Sequence, residues 1–237
     1  MGRLVLIEAR KMTDTRSTRM IMLLMLVVGL CTAVLVMVIS GSRSLDLEFS
    51  MIVTTLAFPA ALGAPIIGIL GMVGDWHHRD VMTFFALVSR RWRLFVAKIA
   101  GTLVVSLAIV LAVLTLSMLL SMVIAPTMEI GWTAGELGNA IWLLLCATVL
   151  GSVCGAAISS AFLSAPLSMV FIILQTLLFD TLIGLIPGDI APFLQSASLI
   201  NHLTGDGPVA PALTSLVLWI VVPLCIGFWR NQRKEVS

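Results

Sequence analysis

The residues whose types and spacing bear on chemistry fall into three groups. The longest runs Gly74-Asp75-Trp76-His77-His78-Arg79-Asp80-Val81-Met82-Thr83-Phe84-Phe85-Ala86-Leu87-Val88-Ser89-Arg90-Arg91-Trp92-Arg93, acidic and aromatic at its start and basic at its end. Val81, Phe84, Phe85 and Val88 recur at spacings of three and four, an apolar helical stripe with charged ends. Such a helix lies in lipid head groups or fits a groove on a partner protein. Arg90, Arg91 and Arg93 at its C-terminal side suit the helix dipole and anionic lipid. The second group is N-terminal, where Arg3–Arg19 interleaves charges with Leu4, Val5, Ala9 and Met12, the pattern of a short amphipathic helix at a membrane surface. The third is Asp180, an acid inside a long apolar run about two turns before Pro187. It reads as snorkelling or pairing near one membrane surface, or as a polar lining residue of a path through the chain.

Other chemistry lacks its parts. There is no G-x-S-x-G elbow, no H-E-x-x-H pair and no aspartate cluster suited to magnesium. His77 and His78 are adjacent, so on a helix they point about 100° apart and make a poor pair of metal ligands. No Gly-Lys dipeptide occurs, which removes the phosphate-binding G-x-x-x-x-G-K-[ST] loop. One acid within the apolar runs is a poor relay for ion coupling. Cys31, Cys146, Cys154 and Cys225 all lie in apolar runs without a C-x-x-C pair and read as small packing residues.

The elements that position these groups follow from composition. The 237 residues are 59% hydrophobic and 11% charged, with a mean hydropathy of +1.12. A soluble domain carries about 45–50% apolar and about 25% charged residues, so this excess belongs in a membrane. A helix crosses a hydrocarbon core with about 20 apolar residues. Six stretches qualify: Met20–Ser40, Ser50–Gly74, Ile99–Ile124, Asn139–Ser160, Pro166–Pro187 and Pro211–Trp229. The expected fold is an all-α membrane protein of six transmembrane helices, forming a single transmembrane domain over residues 1–237. The first span reads as uncleaved, because its apolar run is longer than the 7–15 residues usual in a signal peptide.

Orientation follows from the basic residues. Arg3, Arg10, Lys11, Arg16 and Arg19 precede span one; Arg79, Arg90, Arg91, Arg93 and Lys98 follow span two; Arg230, Arg233 and Lys234 follow span six. Only Arg43 falls on the other side, so both termini are expected in the cytoplasm. A net charge of +2 is too slight to suggest nucleic-acid binding. Gly151 and Gly155 form a small-x-x-x-small motif that reads as packing within the chain.

The loop after span two resembles the first cytoplasmic loop of ABC-2 type transporter permeases. The residues that carry the likeness are Gly74-Asp75-Trp76-His77-His78-Arg79, then Ser89-Arg90-Arg91, then Ala97-Lys98. Glu8-Ala9-Arg10-Lys11 and Thr15-Arg16 are similar to that family's entry helix, with Glu8, Lys11 and Arg16 at its frequent positions. The resemblance implies a permease subunit with an amphipathic entry helix over 1–19 and a coupling helix between spans two and three, in a loop over 75–93. Asp75, Trp76, His77, Phe84, Arg90 and Arg91 would then contact a separate cytoplasmic ATP-binding subunit. It also implies a second permease copy, identical or related, and an outward re-entrant segment over 188–210. ATP and magnesium would sit on the partner, with no cofactor on this chain, which would itself be no enzyme.

Thr54, Phe58, Gln175 and Asp180 are the candidate lining residues of the path. The apolar spans favour an amphiphilic cargo, such as a drug-like, peptide or lipid-like molecule, exported across a bacterial plasma (inner) membrane. An ion-coupled secondary transporter and a membrane-embedded lipid-modifying enzyme are the competing readings.

Overall fold

The computed structural model describes residues 2–42, 48–77, 91–128, 133–186, 190–205 and 207–233, and among these the chain is helical with no strand. In chain order the helices are α1 (Gly2–Asp14), α2 (Arg16–Ser42), α3 (Phe49–His77), α4 (Arg91–Met128) and α5 (Ala134–Phe162). They continue with α6 (Ala165–Gly184), α7 (Ala191–Leu194), α8 (Ala197–Leu203) and α9 (Val209–Gln232). Among the described residues, helices α2 to α6 and α9 are the six long and apolar enough to cross a membrane. The chain is a multi-pass helical membrane protein.

The boundaries depart from the expected ones where polar residues continue a helix. The entry helix ends at Asp14, and Arg16 already belongs to α2, because the Thr15 hydroxyl donates to the Met12 carbonyl (2.8 Å) and the chain bends there. Helix α4 begins at Arg91 rather than Ile99. Trp92, Arg93 and Phe95 extend its helix beyond the apolar window.

Helix α3 is the centre of the bundle. Its apolar window is 56% buried, against 17% for α6 and 22% for α2 and α9. The main core joins Met12 of α1, Met37 of α2, Ile52 and Ile67 of α3, Val110 of α4 and Leu144 of α5. Small residues set the tightest contact, between α3 and α5. A Cβ on Gly155 would strike the Pro65 carbonyl, and one on Gly68 would strike the Ser152 carbonyl. The two backbones therefore touch, and dispersion between them replaces side-chain interdigitation. Gly151 and Gly155 face Pro65 within the same chain.

Buried hydroxyls are satisfied inside their own helices. Thr102, Ser106, Ser117 and Ser121 on α4 and Thr148 on α5 are fully buried. Each donates to a carbonyl three or four residues back, at 2.7–3.1 Å. Outward positions such as Leu24, Leu35, Val104, Val170 and Leu213 are exposed and apolar. That is the distribution that lipid as solvent permits.

One end of the bundle gathers α1, the first turns of α4 and the last turns of α5 and α9. Phe95 meets Phe228 edge-on at 5.6 Å, and the Arg230 guanidinium donates to the Ala161 carbonyl. The other end gathers Glu48, Thr133 and Glu136.

Candidate functional site

The backbones of Asp75, Trp76 and His77 form the last turn of α3, and Arg91 opens α4. Phe84 and Arg90 lie outside the described residues. Just inside α4, Trp92 is exposed and the Arg93 guanidinium carbon lies 5.6 Å from its ring centroid. That is the stacked arrangement in which a cation and an indole stabilise each other at a wet surface.

The entry helix is seated on α4. Glu8 is buried, and a Cβ on Gly101 would lie 3.1 Å from the Glu8 Cβ and 3.3 Å from the Ala9 nitrogen. Met12 reaches over Gly71 and Thr102. Two glycines on two spans thus make the floor on which α1 lies. The helix reads from its sequence as amphipathic, yet the face it turns to the bundle carries Glu8 beside half-buried Lys11, and Lys98 of α4 is buried as well. Each of these three is engaged by a neighbour. Arg16 is exposed.

Gln175 and Asp180 come together in a cavity of about 310 Å³. Its wall is built from α3, α5, α6, α8 and α9, with Pro65, Gly151 and Cys154 on one side and Ile200, Ser215 and Trp219 on another. Two turns of π-helix face it. Gln175–Phe179 interrupts α6 and supplies Gln175 and Thr176, while Val217–Val221 interrupts α9 and supplies Trp219 and Ile220. The wider π turn redirects side chains that a regular helix would carry elsewhere, and such turns collect at functional sites.

Asp180 pins the segment between α6 and α9. Its carboxylate accepts from the Ser196 N–H (2.8 Å), the Ser196 hydroxyl (2.6 Å) and the Ala197 N–H (3.1 Å). These N–H groups open α8 and have no partner within that helix. The Gln195 amide donates to the Asp180 carbonyl (3.0 Å), and the Trp219 indole donates to the Leu194 carbonyl (3.0 Å). Trp219 lies ten residues beyond Val209, about 15 Å along α9. The segment therefore folds back beside the spans, between α6 and α9, and ends by Pro208, where α9 starts.

Gln175 is 3% exposed, and its Oε1 has no hydrogen-bond partner. A buried acceptor left open costs about 1–3 kcal/mol. Its amide lies beside the Cys154 thiol, which donates to the Trp219 carbonyl.

Thr54 and Phe58 sit elsewhere, one turn apart on an exposed stripe of α3. Phe58 is 68% exposed. Thr54 lines a second hollow, a polar crevice of about 470 Å³ with Ser50, Glu136, Asn139 and His202. Glu48, just ahead of α3, is held below its ordinary value chiefly by a hydrogen bond from Glu136 and then by one from Ser50. The Ser50 and Thr133 hydroxyls donate to its two oxygens at 3.1 and 3.2 Å. His202 Nδ1–H donates to the Gly207 carbonyl (2.8 Å).

The sequence reading brought Gln175 and Asp180 forward and missed Glu48, Glu136, Ser196 and Trp219. Their pairings cross from one helix to another, and no spacing along the chain announces them. A polar residue at the start of an apolar run, as at Glu48 and Glu136, was the available signal. No protein-family model matches this chain, and no curated protein matches it.

Proposed function

We propose that this chain is the membrane-spanning permease subunit of an ABC-2 type ATP-binding cassette transporter. In this reading it exports a drug-like, peptide or lipid-like cargo across a bacterial plasma membrane, powered by a separate cytoplasmic ATPase. The observation that carries the reading is the setting of the two helices that residues 78–90 join in sequence. The stretch leaves from the end of α3, the most buried helix, and returns into α4, on whose first turns α1 is seated at Gly101. A push on that stretch reaches the centre of the bundle and its surface helix together, because packed interiors transmit displacement instead of absorbing it.

Three further features support it. Basic residues of α1, α4 and α9 share one end of the bundle, and the distribution of Lys and Arg supports reading that end as cytoplasmic. Spans α2, α6 and α9 are little buried within one chain, which leaves surface for a second copy. Among the described residues Asp180 is the acid well inside a span, and its three hydrogen bonds within the chain favour a structural role over a relay. Asp75, Trp76, His77, Phe84, Arg90 and Arg91 make the ATPase contact in this reading. Thr54, Phe58, Gln175 and Asp180 line the path.

Capturing the tagged chain and measuring ATP-driven transport in proteoliposomes tests this. An ATPase should co-purify at one copy per permease, and Asp75→Arg or Arg90→Glu should reduce transport to background while insertion is unchanged. Undiminished transport by both variants at normal expression overturns the reading. Activity that ignores ATP and stops when the proton gradient collapses makes the chain a secondary transporter, and lipid turnover by the chain alone makes it an enzyme.

A further inference from the structure

The geometry points to a binding site for a lipophilic organic monocation: the cavity at the two π turns holds an ammonium group against the Asp180 carboxylate. The π turn Gln175–Phe179 ends where Asp180 begins. Asp180 lines the cavity and is only half-buried, so it is not sealed into the packing. Its carboxylate is bonded to Ser196 and Ala197 alone, through three neutral donors. Such bonds stabilise the carboxylate but leave its negative charge in place, and of its roughly four lone-pair sites one stays open. An ionised group beside apolar spans is costly unless a counter-charge faces it. None of the described residues in the wall is basic, so the wall itself does not supply that counter-charge.

The rest of the wall narrows the class. Ala61, Pro65, Leu150, Ile172, Leu199 and Ile220 make it mostly apolar, which suits a cation clothed in carbon. A bare divalent metal asks for six or more oxygen ligands. Among the described residues no group of three or more His, Cys, Asp or Glu side chains is placed to hold one. An anion would meet the carboxylate with no basic side chain to offset it. Trp219 adds an indole to the wall, and an ammonium group over an indole face is attracted by the ring quadrupole. An apolar cavity of about 150 Å³ holds benzene, and this one, at about 310 Å³, has room for a ring carrying a trimethylammonium group. The site deepens the transport reading by naming the class of its cargo. Binding is measured on the chain alone, without an ATPase, so failure of the site and failure of that reading are distinguishable.

The probes are phenyltrimethylammonium, its neutral carbon analogue tert-butylbenzene, and benzenesulfonate, which carries a tetrahedral anionic head on the same ring. Each is titrated into the full-length chain in phosphatidylcholine nanodiscs, which have no net charge, while tryptophan emission is followed against empty nanodiscs. The expected result is a saturable change with phenyltrimethylammonium that Trp219→Phe removes, and binding of benzenesulfonate at least about tenfold weaker. Asp180→Asn should weaken the cation about tenfold and change tert-butylbenzene by less than about twofold. No saturable signal with the cation, benzenesulfonate binding as tightly, or a signal indifferent to Trp219→Phe each overturn the assignment. So does an equal loss of both the cation and tert-butylbenzene in Asp180→Asn, which would mean that the carboxylate only shapes the cavity. The cation–anion comparison needs no substitution and decides the matter even where a variant fails to fold.

Discussion

Asp180 and Ser196 hold each other twice, the Ser196 N–H donating to one carboxylate oxygen at 2.8 Å and its hydroxyl to the other at 2.6 Å. Sixteen residues separate them, and everything between, including α7, is closed into a loop by this pair. The carboxylate does for the start of α8 what a capping side chain does for its own helix, but from a different helix. Charged hydrogen bonds are worth about 1.5–3 kcal/mol each when intact, and scarce water beside the spans raises the cost of losing them.

Asp180→Ala should therefore release residues 190–205 from α6. It leaves two N–H groups and a hydroxyl without their acceptor, a loss of at least about 2–3 kcal/mol after solvent and neighbours partly replace it, or about 4–12 °C in Tm for a chain of this size. Asp180→Asn keeps one acceptor oxygen and should lose about half as much. In a double-mutant cycle, adding Ser196→Ala to Asp180→Ala should cost little more than Asp180→Ala alone, because the two residues share one interaction. Fully additive losses would show that the pair is not coupled.

Two glycines of α5 should respond oppositely to the same substitution. Gly155→Ala drives a methyl group into the Pro65 carbonyl, so α3 and α5 must separate. Overpacking of this kind costs about 1–3 kcal/mol. Gly138→Ala meets nothing within 4 Å and should gain about 0.5–1 kcal/mol from helix propensity. Thermal unfolding of both variants in one detergent measures the contrast. A harmless Gly155→Ala would mean that α3 and α5 are not in backbone contact.

The six spans were legible because a membrane crossing is a matter of length and apolarity, and both are summed along the chain. Span ends were less so: Arg91, Trp92 and Arg93 are polar or amphipathic yet helical, and hydropathy stops at Ile99. The burial of Glu8 was hidden for a related reason. Its inward position depends on Gly71 and Gly101, glycines on two other helices that give α1 room to approach. Gln175 was visible as a polar residue in an apolar span. That its oxygen has no partner is a property of five helices together, and neither π turn has a sequence signature.

Glu48 gives the chain a titratable clasp at the end of the bundle away from α1. Its carboxylate joins the start of α3 to Thr133 and Glu136 at the start of α5. A carboxyl bonded to a carboxylate needs one shared proton, and Glu136 is the donor to Glu48. The Glu136 bond lasts only while that proton is held, since at higher pH two carboxylates repel; on the acid side, because the pKa of folded Glu48 is depressed, the clasp's stabilisation is still present at the ordinary carboxylate value of about 4.3. It is lost as pH falls through the folded value, when Glu48 gains its own proton and stops accepting. The difference in Tm between the native chain and Glu48→Gln should thus be largest where the pair holds one proton, at about pH 4–5, and shrink towards pH 3 and towards neutral pH. Glu136→Gln, whose amide donates without a titratable proton, should keep the same acid dependence. The clasp is surface-exposed, so solvent screens it and the differences should be a few degrees at most. A native-minus-variant difference that stays constant from pH 6 to pH 3 would mean that Glu48 contributes by packing and not by its charge.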